Sequence, residues 1–157
     1  MKCKTNHNEE MKNDLMRVYR EVVGQYSCKN QTEAYDLTVR HPAPRFYVDA
    51  RWAHQVISPM TRGDFKVLDK MDALRRQMYH DLLDTVLRLK QKEKYWNSSL
   101  YELVRHAILE PAPRFYINVD RMGQIWREKT VKRVKVDAMR RMLSRRMGKS
   151  VVEYETA

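Results

Sequence analysis

The chain has 157 residues, 43% of them hydrophobic, which suits one domain or two very small ones sharing a core. No apolar run approaches the roughly 18 residues of a membrane span, the first residues lack the hydrophobic region of a secretory signal, and Cys3 and Cys28 are too few for a disulfide framework or a zinc site. A reduced, cytoplasmic setting is therefore expected. The formal net charge is +11, and it is concentrated: residues 121–149 hold eleven Lys and Arg against two acids, whereas residues 1–120 hold twenty against sixteen.

In chain order, residues 1–8 are short, polar and aperiodic, and are expected to be disordered. From Glu9 to Gln25, Leu15, Val18, Tyr19, Val22 and Val23 recur at helical spacing, with Gly24 as a stop. A second helix is expected to start with Thr32 as N-cap, to pack through Tyr35, Leu37, Thr38 and Val39, and to end near His41, because the residue before a proline avoids the α region. Pro42-Ala43-Pro44 should be polyproline-like, and Arg45-Phe46-Tyr47-Val48 extended, with Phe46 and Val48 turned to the core and Arg45 and Tyr47 away from it. Asp49 caps a further helix with Ala50, Ala53, Val56 and Ile57 on its buried stripe, ended by Pro59. Thr61-Arg62-Gly63-Asp64 reads as a turn, and residues 64–95 as one long helix with Phe65, Leu68, Met71, Leu74, Met78, Leu82, Val86 and Leu89 facing inward.

The heptapeptide starting at Pro42 then returns at Pro111, 69 positions later, as Pro111-Ala112-Pro113-Arg114-Phe115-Tyr116-Ile117. Only its last residue differs. A helix over residues 99–110 precedes it, Asn118 stands where Asp49 stood, and Val119, Met122, Ile125 and Trp126 take the places of the earlier stripe. The pattern predicts a mainly α protein built as a tandem repeat of helix–extended PAPRFY segment–helix units, about 31–58 and 99–126, around the long central helix. The two extended segments can pair as a two-stranded β ribbon. One helical domain over 9–129 is followed by a basic segment, 130–149, and a tail, 150–157. Residues 130–136 read as a short strand or a loop, and residues 137–147 as a helix stopped by Gly148.

Clustered positive charge suits a surface that meets phosphate. The residues expected to provide it are Lys132, Arg133, Lys135, Arg140, Arg141, Arg145 and Arg146. Arg45, Tyr47, Arg114 and Tyr116 would add two matched pairs, with a guanidinium fork for phosphate and a ring for stacking or hydrogen bonding. The competing reading gives the tyrosines to the edge of the core and the arginines to helix ends or carboxylates. No metal-ligand spacing, glycine-rich phosphate loop or nucleophile signature occurs, so neither enzymatic activity nor a cofactor or metal is expected. Trp52, Trp96 and Trp126 read as packing residues. The expectation is a non-enzymatic nucleic-acid-binding protein, with DNA the favoured partner and no membrane association. The alternative is a structural or adaptor component of a larger assembly, with a protein partner.

The doubled PAPRFY string, together with Ile57-Ser58-Pro59-Met60 and Arg62-Gly63-Asp64, resembles a group of small uncharacterised PAPRFYV-repeat proteins of Bacteroidetes-type gut bacteria and their mobile elements and phages. The resemblance covers residues 15–126 and leaves out the basic segment. It implies no activity, but a mobile-element or phage setting favours DNA binding or a place in a phage particle.

Overall fold

The structure is a computed structural model and describes residues 6–147. The expected stop at Gly148 and the tail lie outside the described residues, as do residues 1–5 of the expected disordered segment. The described residues are mainly helical, with six α-helices and no strand.

Helix α1 (Asn6–Gln25) begins earlier than expected. Residues 6–8 are helical, with Glu9 placing a carboxylate in the favourable first turn. Helix α2 (Gln31–Arg40) is capped by Asn30 and not by Thr32: the Asn30 side chain accepts from the Glu33 N–H at 2.8 Å, and Glu33 accepts from the Lys29 N–H at 3.0 Å. Asp49 caps α3 (Ala50–Thr61), as its sequence position suggests.

Pro59 does not end α3 but sits in its last turn, where the missing N–H forfeits a single late bond. The stop comes four residues later. Gly63 adopts φ +84°, its N–H bonds to Met60 O at 3.1 Å, and the Asp64 N–H bonds to Pro59 O at 3.0 Å. This is a Schellman closure, and it needs a residue that tolerates the left-handed region.

The expected long helix over 64–95 is broken into three. A 3-10 turn (Lys66–Lys70) leads into α4 (Ala73–Lys90), and a second short turn follows (Glu93–Tyr95). The break has a local cause: Asp72 is extended and its carboxylate accepts from the Arg75 N–H at 2.8 Å, which starts a new helix. Helix α5 (Leu100–Ala107) opens with a reciprocal capping box between Ser99 and Glu102. Helix α6 (Val119–Met147) starts at Asn118, whose side chain accepts from the Arg121 N–H at 2.7 Å. It runs through residues 130–136, where a strand or loop was expected. No proline or glycine interrupts residues 124–147, so a helix nucleated at Asn118 propagates through the valines.

The chain divides into two compact units, Met1–Met122 and Gly123–Ala157. In the first, α1 packs on α2, α4 on α5, and α3 on both α4 and α5. The PAPRFY strips of this unit meet. Ala43 and Ala112 each donate to the other's carbonyl at 2.9 Å, forming one isolated antiparallel bridge in place of a ribbon. Prolines flank each alanine and have no N–H, so the ladder cannot extend. The next donors turn elsewhere: the Phe46 N–H bonds to Ile108 O and the Phe115 N–H to Val39 O, both at 2.9 Å. Each strip thereby satisfies an orphan carbonyl at the end of the helix that precedes the other strip.

Phe46 and Phe115 are each 1% exposed. Phe46 stacks on Tyr116 and Tyr47 on Phe115, with ring centroids 6.1 Å apart in both pairs. Ala34, Tyr35, Thr38 and Val39 of α2 are buried, as are Leu103, Val104, Ala107 and Ile108 at positions 69 later. Leu37 is only half-buried. The correspondence reaches further upstream, at a spacing of 67. Leu15, Met16, Val18, Tyr19 and Val22 of α1 are buried, and so are Leu82, Leu83, Thr85, Val86 and Leu89 of α4. Val23, expected in the first stripe, is exposed.

Replacing Gly63 by Ala should cost about 1 kcal/mol, because the left-handed φ strains any side chain although there is room for a Cβ. Phe46→Ala should cost about 3–5 kcal/mol, the range for truncating a buried phenylalanine. Chemical denaturation with an unchanged m-value would measure both.

Candidate functional site

The Arg–Tyr pairs lie on the strips, one residue to either side of the buried phenylalanines. All four side chains are half-buried, and the fold employs them. The Tyr47 hydroxyl donates to Asp14 of α1. The Tyr116 hydroxyl donates to Asp81 of α4 at 2.5 Å. Arg45 Nε donates to its neighbour's carbonyl, Phe46 O, at 3.3 Å, and Arg114 Nε to Phe115 O at 3.1 Å. Arg45 also reaches Glu10 at 3.5 Å and lies over the Tyr47 ring at 5.9 Å. The carboxylate that Arg45 reaches is thus Glu10 of α1, 35 residues away in sequence.

Burial raises the pKa of the Tyr47 hydroxyl well above that of a free tyrosine. The hydrogen bond to Asp14 and the charges of Asp14 and Glu10 add to this, and Arg45 opposes it in part. Tyr116 is raised in the same way, by burial first and Asp81 second, with Arg114 opposing. A phenol facing a carboxylate keeps its proton, since a phenolate there would be a second negative charge in a poorly solvated place.

The aspartates are the residues that sequence reasoning missed. The signal was present in Asp14-Leu15 and Asp81-Leu82, each followed by a similar apolar pattern in which Thr85 stands where α1 has Val18. It is obscured because the spacing there is 67 and not the 69 of the strips.

The basic residues of the second unit are arranged differently. Lys132, Arg133, Lys135, Arg140, Arg141, Arg145 and Arg146 are all exposed on α6. Among the described residues, none of the seven forms an ion pair with a carboxylate. Arg133, Asp137, Arg140, Arg141 and Ser144 follow helical spacing and form one polar stripe. Val131, Val134, Met139, Met142 and Leu143 are at least half exposed on the remaining surface, interleaved with Lys135 and Arg146. At about 1.5 Å per residue the seven cations span about 21 Å of helix.

Two of the three tryptophans depart from the packing role expected of them. Trp52 is 51% and Trp96 65% exposed, and Trp126 is half-buried. The Trp96 indole N–H is held by Gln91 O at 3.2 Å at a helix end, which needs no burial. Among the described residues there is no cluster of His, Cys, Asp and Glu that could hold a metal, and no helix long and apolar enough to cross a membrane. Comparison with known proteins returns no match to a family model, a curated protein or a solved structure.

Tyr47→Phe and Tyr116→Phe should each destabilise the fold by about 1–2 kcal/mol, through loss of a hydrogen bond to a carboxylate. In the parent chain, stability should be independent of these groups below about pH 10, the ordinary tyrosine range. Above it the unfolded chain loses its phenolic protons first, so stability should fall as pH rises. Denaturant titrations from pH 8 to 11 should show that fall, and it should be shallower in the double Phe variant.

Proposed function

We propose that the protein is a non-enzymatic nucleic-acid-binding protein, with duplex DNA as its partner, that grips phosphates through the exposed cations of α6. The observation that carries this reading is the set of seven Lys and Arg side chains along about four turns of helix, solvated and without carboxylate partners among the described residues. Duplex DNA carries one charge per about 1.7 Å of its axis. A helix presenting this many cations over about 21 Å can therefore neutralise several phosphates, and the major groove is wide enough to admit it. The cations surround the helix on several sides, which favours backbone contact over the reading of base edges.

In this reading the strips are tandem copies of one helix–extended–helix unit. Arg45, Tyr47, Arg114 and Tyr116 brace that unit, and phosphate contact falls to α6. A mobile-element or phage setting, with the protein in the host cytoplasm or the particle, agrees with either DNA binding or assembly. The exposure of Val131, Val134, Met139, Met142 and Leu143 favours a second reading, an adaptor that buries this helix against a protein partner.

Gel shifts separate the two. Duplex DNA should be retarded at 50 mM salt, and affinity should fall about a thousandfold by 200 mM if roughly six phosphates are contacted. Replacing Arg133, Arg140 and Arg141 by Gln should weaken binding to all sequences alike and make the salt dependence shallower by about 3 in log–log slope. No retardation at 50 mM, or retardation indifferent to these substitutions, would overturn the DNA reading. Single strands and RNA in parallel lanes identify the preferred polymer.

A further inference from the structure

The first unit contains a pocket of about 340 Å³ where its corresponding parts come together. Met11 and Met78, equivalent at the spacing of 67, both line it. So do Tyr47 and Tyr116, equivalent at 69. The pocket thus occupies the junction of the two halves, and its frame is nearly symmetric. Its decoration is not. Trp52, Tyr79 and Arg75 also line it, and their counterparts in the other half are Arg121, Lys12 and Asn8. One side of the frame has gained an indole, a phenol and a guanidinium.

Three observations say what would fill it. Trp52 contributes a wide apolar surface, yet it is half exposed and stands at the pocket wall beside two thioethers and three tyrosines. Methionine sulfur and aromatic faces both favour a flat, polarisable occupant. Arg75 is exposed and forms no ion pair among the described residues, so its charge is available at the mouth. A neighbouring cavity shares most of this lining and adds Asp49 and His7, whose Nδ1 is buried without a hydrogen-bond partner among the described residues. Apolar walls with a few polar groups at one end are the usual make-up of a small-molecule site, and the volume suits one or two rings.

We infer that this pocket binds a small aromatic anion, a one- or two-ring molecule with a single carboxylate or phosphate, its ring against Trp52 and its charge on Arg75. The inference is independent of the nucleic-acid reading, since no residue of α6 beyond Met122 takes part.

Titration calorimetry on the full chain tests it with indole-3-acetate, phenyl phosphate and the neutral indole-3-ethanol. At least one anion should bind one-to-one with a sub-millimolar Kd, and the neutral compound at least tenfold more weakly. The better of the two anions identifies the acidic group. Arg75→Met should erase the preference for the anion, and Trp52→Ala should weaken all ligands at least tenfold. Both substitutions are at exposed helical positions, and circular dichroism checks that the variants fold. Failure of both anions at millimolar concentration, equal binding of the neutral compound, or affinities unmoved in the two variants would overturn the assignment.

Discussion

Between two prolines, an alanine owns the only N–H of its tripeptide, and the first unit is arranged around where that N–H goes. In both strips it goes to the other strip. Both alanines are buried at the crossing, Ala43 and Ala112 at 1% and 2% exposure. Just beyond the crossing each phenylalanine N–H closes the helix that leads into the opposite strip. Four backbone hydrogen bonds thus tie four segments. Buried polar groups must find partners, and here the prolines limit the choice so strictly that little other pairing is possible. The aromatic stacks lie over this knot, and the tyrosines carry it outward to Asp14 and Asp81 on α1 and α4.

This arrangement separates two kinds of charged residue that a sequence presents alike. Arg45 and Arg114 each donate to a backbone carbonyl, and Arg45 also lies over the Tyr47 ring, so part of their capacity for hydrogen bonding is used within the fold. Arg133, Arg140, Arg141, Arg145 and Arg146 of α6 have no such employment among the described residues. An exposed ion pair is worth little, but an exposed cation with no pair keeps its full attraction for a polyanion, and salt governs its strength.

Much of the helical fold was legible because it depends on local patterns. The apolar stripes, the caps at Asp49 and Asn118, and the inward turn of Phe46 and Phe115 all follow from short-range rules. What was not legible depended on competition between neighbours. Asn30 captures the start of α2 from Thr32, and Asp72 divides what apolar periodicity alone presents as one helix. The valines of residues 130–136 suggest a strand by propensity, yet they lie in an uninterrupted helix that started twelve residues earlier, at Asn118. For the tyrosines, alternation pointed away from the core, whereas each ring stacks on the other strip's buried phenylalanine and its hydroxyl reaches an aspartate on another helix. That partner is non-local, and only the three-dimensional crossing brings it near.

The mutual dependence of the strips bears on what a chain with one strip could do. Its alanine N–H, its phenylalanine N–H and the carbonyl at its helix end would all lack partners, and a second molecule would be the nearest source of complements. Joining two such segments in one polypeptide replaces encounter between molecules by an effective concentration on the order of millimolar. The covalent link therefore makes self-recognition independent of how dilute the protein is, and it lets the surroundings of the two strips differ, as Trp52 after one strip and Arg121 at the same distance after the other illustrate.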